Sequence, residues 1–303
     1  MGGQIFRKMF LTEDYFTIAL QKKSDARNDI PTKFKSDYVF PASRDKWAAD
    51  PILVEDDNHT YLFYEAVING KGRIEVVEVY DDCTVSSPVV ILESENHYSY
   101  PFVFKSADQW YMIPESSAED KVQLYKSIEF PFEWEEERVL LKSCLVDSTV
   151  FDFDNTQYIL TFVPDQITQR VQPKCYRIQF DDTHTEIIPI EWENYDTLRV
   201  RGAGPAFSCN GKVMRPFQVS REYAYGDAVG FAEMYMDNEQ YHERTIGELR
   251  ADQLYIPQRK WVDGLHTFSQ TSKFQVIDIR CREFCFYKMF LVLRNRLNRR
   301  RKK

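Results

Sequence analysis

Apolar and polar positions along this chain fall into paired short strands rather than helical stripes. The stretch ADPILVEDDNHTYLFYE (Ala49 to Glu65) runs from a small or acidic residue through an apolar strand and an Asp/Asn turn into an aromatic strand. SYPFVFKSADQWYMIPE (Ser99 to Glu115) repeats it, with Pro51 matched by Pro101 and Glu65 by Glu115. VDSTVFDFDNTQYILTF (Val146 to Phe162) and GAGPAFSCNGKVMRPFQ (Gly202 to Gln218) keep strand, turn and strand, and a fifth, weaker copy begins near GLHTFS at Gly264. With Asp50, Tyr100, Asp147, Gly204 and His266 as landmarks, the spacings are 50, 47, 57 and 62 residues, close to the period of a four-stranded propeller blade. The pattern predicts an all-β fold, a five-bladed β-propeller built of four-stranded antiparallel blades.

The segments between landmarks supply the other strands. GRIEVVEVY and SPVVILE complete blade one, KVQLYKS and EERVLLK blade two, RVQPKCYRIQF and HTEIIPI blade three, and VGFAEMYMD extends blade four. FPFEWEE (Phe130 to Glu136) reads as a connector in which Pro131 interrupts pairing, and Gln240 to Tyr255 as the place for a short helix. DYFTIALQ (Asp14 to Gln21) is a strand suited to closing the ring against the last blade, which removes exposed edges. One propeller domain over residues 1–285 and a basic amphipathic tail over 286–303 follow.

Composition adjusts this picture in three places. Aromatic residues make up 15% of the chain, which suits strands packed between neighbouring sheets. The six cysteines are scattered except for Cys281 and Cys285, and no leader sequence is evident, so a reducing cytoplasm is the expected location. That pair is half a zinc site without a second half, so no metal is expected. The formal charge of −8 hides an asymmetry: eight Lys and Arg crowd into Phe286 to Lys303, leaving 31 basic against 47 acidic residues, a balance of −16, on the rest. Such a tail suits an anionic membrane surface at the inner face, as a peripheral contact, and equally a solvated terminus. An acidic body argues against nucleic acid.

Hairpin geometry gathers candidate chemistry at one end of the central tunnel, because the residue opening the first strand of a blade lies beside the one closing the second. Asp50 is expected beside Glu65, Tyr100 beside Glu115, and Asp147 beside Thr161, with Arg201 and His266 opposite. Crowded carboxylates raise one another's proton affinity, so one stays protonated while another ionises, the arrangement glycosidases use. A merely polar mouth with acids bonding backbone is the alternative. Arginines and glycines in RVRGAGPAF and MRPFQVSREYAYGDAV, which hold Arg201, Arg215 and Tyr225, suit a phosphate, a nucleotide-sugar diphosphate or a sugar acid, or ordinary ion pairs on a bulge. No P-loop or dinucleotide fingerprint occurs, and no cofactor is expected. Tyr98 and Tyr100, with Trp47, offer aromatic faces for sugar rings or for the core.

WAADPILVEDDNHTYLFYE, HYSYPFVF…WYMIPE, LVDSTVF, RGAGPAF and GLHTFS…FQVID, from Trp47 to Asp278, resemble the N-terminal domain of plant glucosamine inositolphosphorylceramide transferases, which is similar to bacterial proteins linked with envelope polysaccharides. More distantly the chain resembles five-bladed glycosidases such as arabinanases, invertases and levansucrases. The resemblance implies a catalytic role for Asp50, with Glu115 as acid and Asp147 as the second Asp; Tyr100, where an acid would open blade two, departs from that pattern. Nothing in the chain resembles the plant proteins' glycosyltransferase domain. The expected function is glycosyl transfer or glycoside hydrolysis in cell-surface polysaccharide or glycolipid assembly. Asp50, Glu115 and Asp147 would be catalytic; Glu65, Tyr98, Tyr100, Arg201, Arg215, Tyr225 and His266 would bind a glycan, nucleotide sugar or glycolipid. The alternative is a non-catalytic sugar-binding or scaffolding propeller that recruits a glycosyltransferase.

Overall fold

The computed structural model describes residues 15–25, 29–116, 119–165, 167–180, 185–221, 224–237 and 240–282; the basic tail and Cys285 lie outside them. Five four-stranded antiparallel blades surround a tunnel. Blade one is Lys46–Asp56, His59–Ile68, Lys71–Val79 and Val89–Leu92, in that order from tunnel to rim. Blade two (Ser99–Ser106 to Glu133–Leu141), blade three (Val146–Phe153 to Thr185–Ile190) and blade four (Phe207–Cys209 to Gln240–Arg250) repeat the order. The chain's start completes blade five: Tyr15–Lys22 pairs antiparallel with Phe274–Cys281 over eight residues, from Tyr15 opposite Cys281 to Lys22 opposite Phe274.

The apolar runs that form these strands are buried on both faces because each blade packs against two neighbours. In blade one Leu53 faces Ile18, Leu20 and Phe274 of blade five, whereas Ile52 and Val54 face Val103 and Met112 of blade two. The connector expected at Phe130 to Glu136 is instead a hairpin leading into the outer strand of blade two; Trp110 stacks on Phe130 at 4.4 Å and Trp134 meets Phe63 edge-on. The helix expected within Gln240 to Tyr255 is a correction of the same kind. Gln240–Arg250 is the outer strand of blade four, and only Ala251–Gln253 turns as a short 3-10 segment, because GELR still alternates against its neighbour strand.

The landmark residues share one backbone device. Pairing shifts register between Ala49 and Ile52, Ser99 and Phe102, and Val146 and Thr149, so each inner strand opens with a bulge. The residue within it is left-handed: Asp50 at φ 50°, Tyr100 at 42° and Asp147 at 50°, with Gly204 at 129° in blade four. A non-glycine residue there costs about 1–3 kcal/mol, and the bulge re-aims its side chain inward. The shift also moves two of the expected partners by one: Glu65 lies opposite Ala49 and Glu115 opposite Ser99, whereas Val146 opposite Phe162 keeps the register expected for Asp147 and Thr161.

Tyr100 crosses the tunnel. Its hydroxyl lies 3.0 Å from Thr149 Oγ1 in blade three and accepts the Gly204 N–H of blade four at 2.8 Å, and the side chain is fully buried. Tyr100→Phe keeps the ring but strands that N–H. The expected loss is about 1–3 kcal/mol of unfolding free energy in urea.

Candidate active site

Above Tyr100 the tunnel opens into a pocket of about 230 Å3, lined by acids from blades one, two and three, Arg201 and Tyr225 from blade four, and His266 from blade five. Seven of the residues singled out from sequence meet here: Asp50, Glu65, Glu115, Asp147, Arg201, Tyr225 and His266. Three do not. Tyr98 is buried between blades one and two with its hydroxyl 3.1 Å from that of Tyr125. Tyr100 forms the plug below. Arg215 is 1% exposed, packed 5.5 Å from the Trp192 ring and paired through both nitrogens with Glu243. The alternation of its strand turns it into the interface of blades three and four rather than toward the mouth.

Asp50 is held by groups from blades two and five. Oδ1 accepts the Thr267 hydroxyl at 3.0 Å and lies 3.2 Å from His266 Nε2, and Oδ2 accepts the Tyr100 N–H at 3.2 Å. Burial opposes its ionisation most strongly, yet the hydrogen bond and charge of His266 and the bond from Thr267 outweigh it and hold the carboxyl below its ordinary range. His266 in turn sits between two acids. Its Nδ1 forms an ion pair with Asp278 Oδ2 at 2.7 Å, while Asp278 Oδ1 accepts the backbone N–H groups of His266 and Thr267 at 2.9 Å each. Burial lowers the imidazole's proton affinity, but the Asp278 charge and then Asp50 reverse the balance and push it up to about 10. The ring is therefore an imidazolium at neutral pH.

Glu115 behaves in the opposite way. Burial and then the neighbouring Asp147 charge raise it well above the ordinary carboxyl range, and Arg201 offsets only part of this. The nearest Arg201 nitrogen lies 3.7 Å from Glu115 Oε2 and is committed to Asp147, which it grips through Nε and, at 3.3 Å, a terminal nitrogen. Asp147 also takes the Gln218 amide at 3.4 Å. Glu65, raised to about 7 by burial, contacts His97 Nε2 at 2.6 Å. The carboxyl favours an imidazolium at His97, but His97 Nδ1 already accepts the Gly72 N–H at 3.0 Å, so a second ring proton breaks that bond. We therefore read the pair as sharing one proton along Nε2. The contact needs Gly72, since a Cβ there would lie 2.7 Å from His97 Nε2 and 2.8 Å from Glu65 Oε1.

Three residues that matter at the site were not singled out as binding or catalytic, Phe16, His97 and Asp278, while Trp47, offered from sequence as an aromatic face, lines the pocket. Phe16 lies 4.4 Å from the His266 ring and 6.1 Å from Trp47, and Tyr225 meets His266 edge-on at 4.8 Å and lies 5.3 Å from the Arg201 guanidinium, giving the mouth an aromatic wall. Asp278 had a signal, an acid inside the apolar closing strand FQVIDIRC. The arginines of the two glycine-containing segments are engaged by carboxylates: Arg199 by Glu248, Arg201 by Asp147, Arg215 by Glu243 and Arg221 by Asp227. Among the described residues one group, Asp50, His266 and Asp278, brings ligand-type atoms within 4.8 Å of one another. The imidazolium already supplies the positive charge there, and a metal ion would have to displace its proton.

Solved structures of similar fold include glycosidases. An α-L-arabinofuranosidase from Podospora anserina superposes with a TM-score of 0.56 over 88% of this chain and 97% of its own at 9% identity. The Bombyx mori GH32 β-fructofuranosidase gives 0.53 over 71% of this chain and 54% of its own at 14% identity. This is a likeness of fold. Residues 31–264 match the family described as glucosamine inositolphosphorylceramide transferase 1, N-terminal, and the chain belongs to that family. Proteins named glucosamine inositolphosphorylceramide transferase 1 are 29% identical over 184 residues in Oryza sativa subsp. indica and 34% over 115 residues in Arabidopsis thaliana. Those matches cover 57% and 37% of this chain, but only 24% and 15% of the plant proteins.

His266→Gln leaves Asp50 and Asp278 facing each other without a cation, and roughly 3–5 kcal/mol of stability should go with it. The folded imidazole ionises near 10 against an ordinary 6.5. Its contribution is thus complete below pH 6.5 and disappears as pH rises through about 10. Melting curves at pH 6 and pH 10 should show a wide gap between wild type and variant at the lower pH and a narrow one at the higher.

Proposed function

We propose that the tunnel mouth binds a sugar of a glycan or glycolipid and transfers or hydrolyses its glycosidic bond, in the assembly of cell-surface polysaccharide or glycolipid. One feature carries this reading: a single pocket holds two buried carboxyls pushed in opposite directions, Glu115 with its proton affinity raised well above the ordinary range and Asp50 with its own lowered. Glu115 is the proton donor to the leaving oxygen; its Oε2 accepts the Asp147 N–H, which leaves Oε1 to carry the proton. Asp50 stabilises positive charge at the sugar or acts as nucleophile or base, and Asp147 holds Arg201 in place. A volume of about 230 Å3 lies below the roughly 300–1,000 Å3 of pockets for drug-sized ligands, which suits one sugar ring. With Arg201 neutralised by Asp147 and His266 by two acids, the mouth is slightly negative. That charge suits an amino sugar such as the glucosamine in the plant relatives' name.

A second reading, recognition without chemistry, is favoured by the bonding of Asp50. Both its oxygens are engaged, which blunts a nucleophile. Purified protein supplied with nucleotide sugars, glycolipids and oligosaccharides decides between them. The enzyme reading expects product from wild type, none from Asp50→Asn, and a rate lower by roughly 10²–10⁴ in Glu115→Gln. The rate should fall as pH rises through the raised ionisation of Glu115, and that alkaline limb should be absent in Glu115→Gln. Sugar binding with no product from any donor establishes the recognition propeller instead.

A further inference from the structure

A second cavity, of about 390 Å3, lies between blades five and one. It shares one side chain, Trp47, with the pocket at the tunnel mouth. Trp47 and Ala49 alternate with Lys46 and Ala48 along the inner strand of blade one; Ala48 lines this cavity and Ala49 the tunnel mouth, and the half-buried Trp47 borders both. The far wall is Tyr38 and Phe40 from the edge of blade five, 5.6 Å apart and edge-on, with Tyr64 continuing the aromatic surface at 5.4 Å from Phe40.

The floor of this cavity is polar in a way that packing does not require. Glu75 is 4% exposed; its Oε2 accepts the Tyr64 hydroxyl at 2.8 Å and its Oε1 accepts Arg73 Nε at 2.9 Å. A buried carboxylate with its cation is a poor stability device, since apolar residues of equal volume serve as well or better. Phe40 and Tyr64 are themselves buried, so the half-buried rings of Tyr38 and Trp47 are the faces on which the C–H groups of a sugar ring can stack, beside an oriented carboxylate and phenol that take up its hydroxyls. Its volume falls within the range of ordinary ligand pockets.

We infer that this cavity is the subsite for the second sugar of the glycan or glycolipid whose terminal sugar occupies the tunnel mouth, the glycosidic link passing over the edge of Trp47. The inference rests on the functional reading above for the first sugar. It adds the direction in which the ligand leaves: outward over the inner strand of blade one.

Ser87 lies exposed on the rim of the cavity, so Ser87→Trp fills it without touching the core or the tunnel mouth. The probes are glucosamine and a panel of disaccharides with glucosamine at the non-reducing end, titrated calorimetrically into the full chain. Wild type should bind at least one disaccharide about tenfold or more tightly than glucosamine. Ser87→Trp and Tyr38→Ala should lose that gain, keep the wild-type affinity for glucosamine and, for Ser87→Trp, keep the wild-type melting temperature. Glucosamine binding with no gain for any disaccharide, or a gain that survives Ser87→Trp, overturns the subsite and leaves the first pocket standing. Failure of both glucosamine and every disaccharide to bind removes the two together.

Discussion

A chain of buried hydrogen bonds around the tunnel holds the five blades in one register, and the rest of the structure depends on it. Asp278 in blade five accepts the Asp50 N–H of blade one; Asp50 accepts the Tyr100 N–H of blade two; the Tyr100 hydroxyl reaches Thr149 in blade three and Gly204 in blade four. The Phe268 N–H, given to Ala203 O at 2.7 Å, returns the chain from blade five to blade four. The interfaces between blades are otherwise apolar clusters, and apolar contact is non-directional. It holds sheets together but sets their relative height only loosely. Directional bonds in a low-dielectric centre set it firmly.

The same bonds divide the proton affinities of the pocket. Asp50 and Glu115 are both buried carboxyls that begin with nearly the same affinity in water. Asp50 has a hydroxyl, a backbone N–H and an imidazolium around it. Glu115 has one backbone N–H and a neighbouring carboxylate whose guanidinium partner is already engaged. Burial alone would have raised both. Their separation comes from which blade partners reach them, so anything that loosens the ring also blurs the difference between acid and base.

Much of this was legible in the chain because the bulge constrains the residue that opens each inner strand. The left-handed position takes a short polar residue or glycine, as Asp50, Asp147 and Gly204 show, and the repeat is visible through them. The bulge also explains what was not legible. Counting residues around a regular hairpin places Asp50 opposite Glu65, whereas the inserted residue puts Ala49 there. Tyr100 obeys the same backbone rule, but a phenol is long enough to cross the tunnel, so its side chain belongs to the core. Arg215 and Glu243 lie 28 residues apart on strands that are not adjacent in the sheet, and no local pattern reports such a pair. His97 is visible only with Gly72, since the imidazole needs the space that a Cβ would fill.

Because Tyr100 and its partners seal the tunnel below the acids, a ligand enters and leaves by the same rim and gains nothing by depth. A longer molecule must extend sideways, across the tops of the blades. On the blade-two side of blade one and toward blades three and four, paired charges crowd the mouth, Glu65 with His97 and Arg201 with Asp147. Toward blade one the surface is instead an indole, with an aromatic cavity behind it. The plug that gives the propeller its register is thus also what turns the site outward. The seam where the first and last blades meet, closed by the chain's own first strand, becomes the place where ligand length can be read.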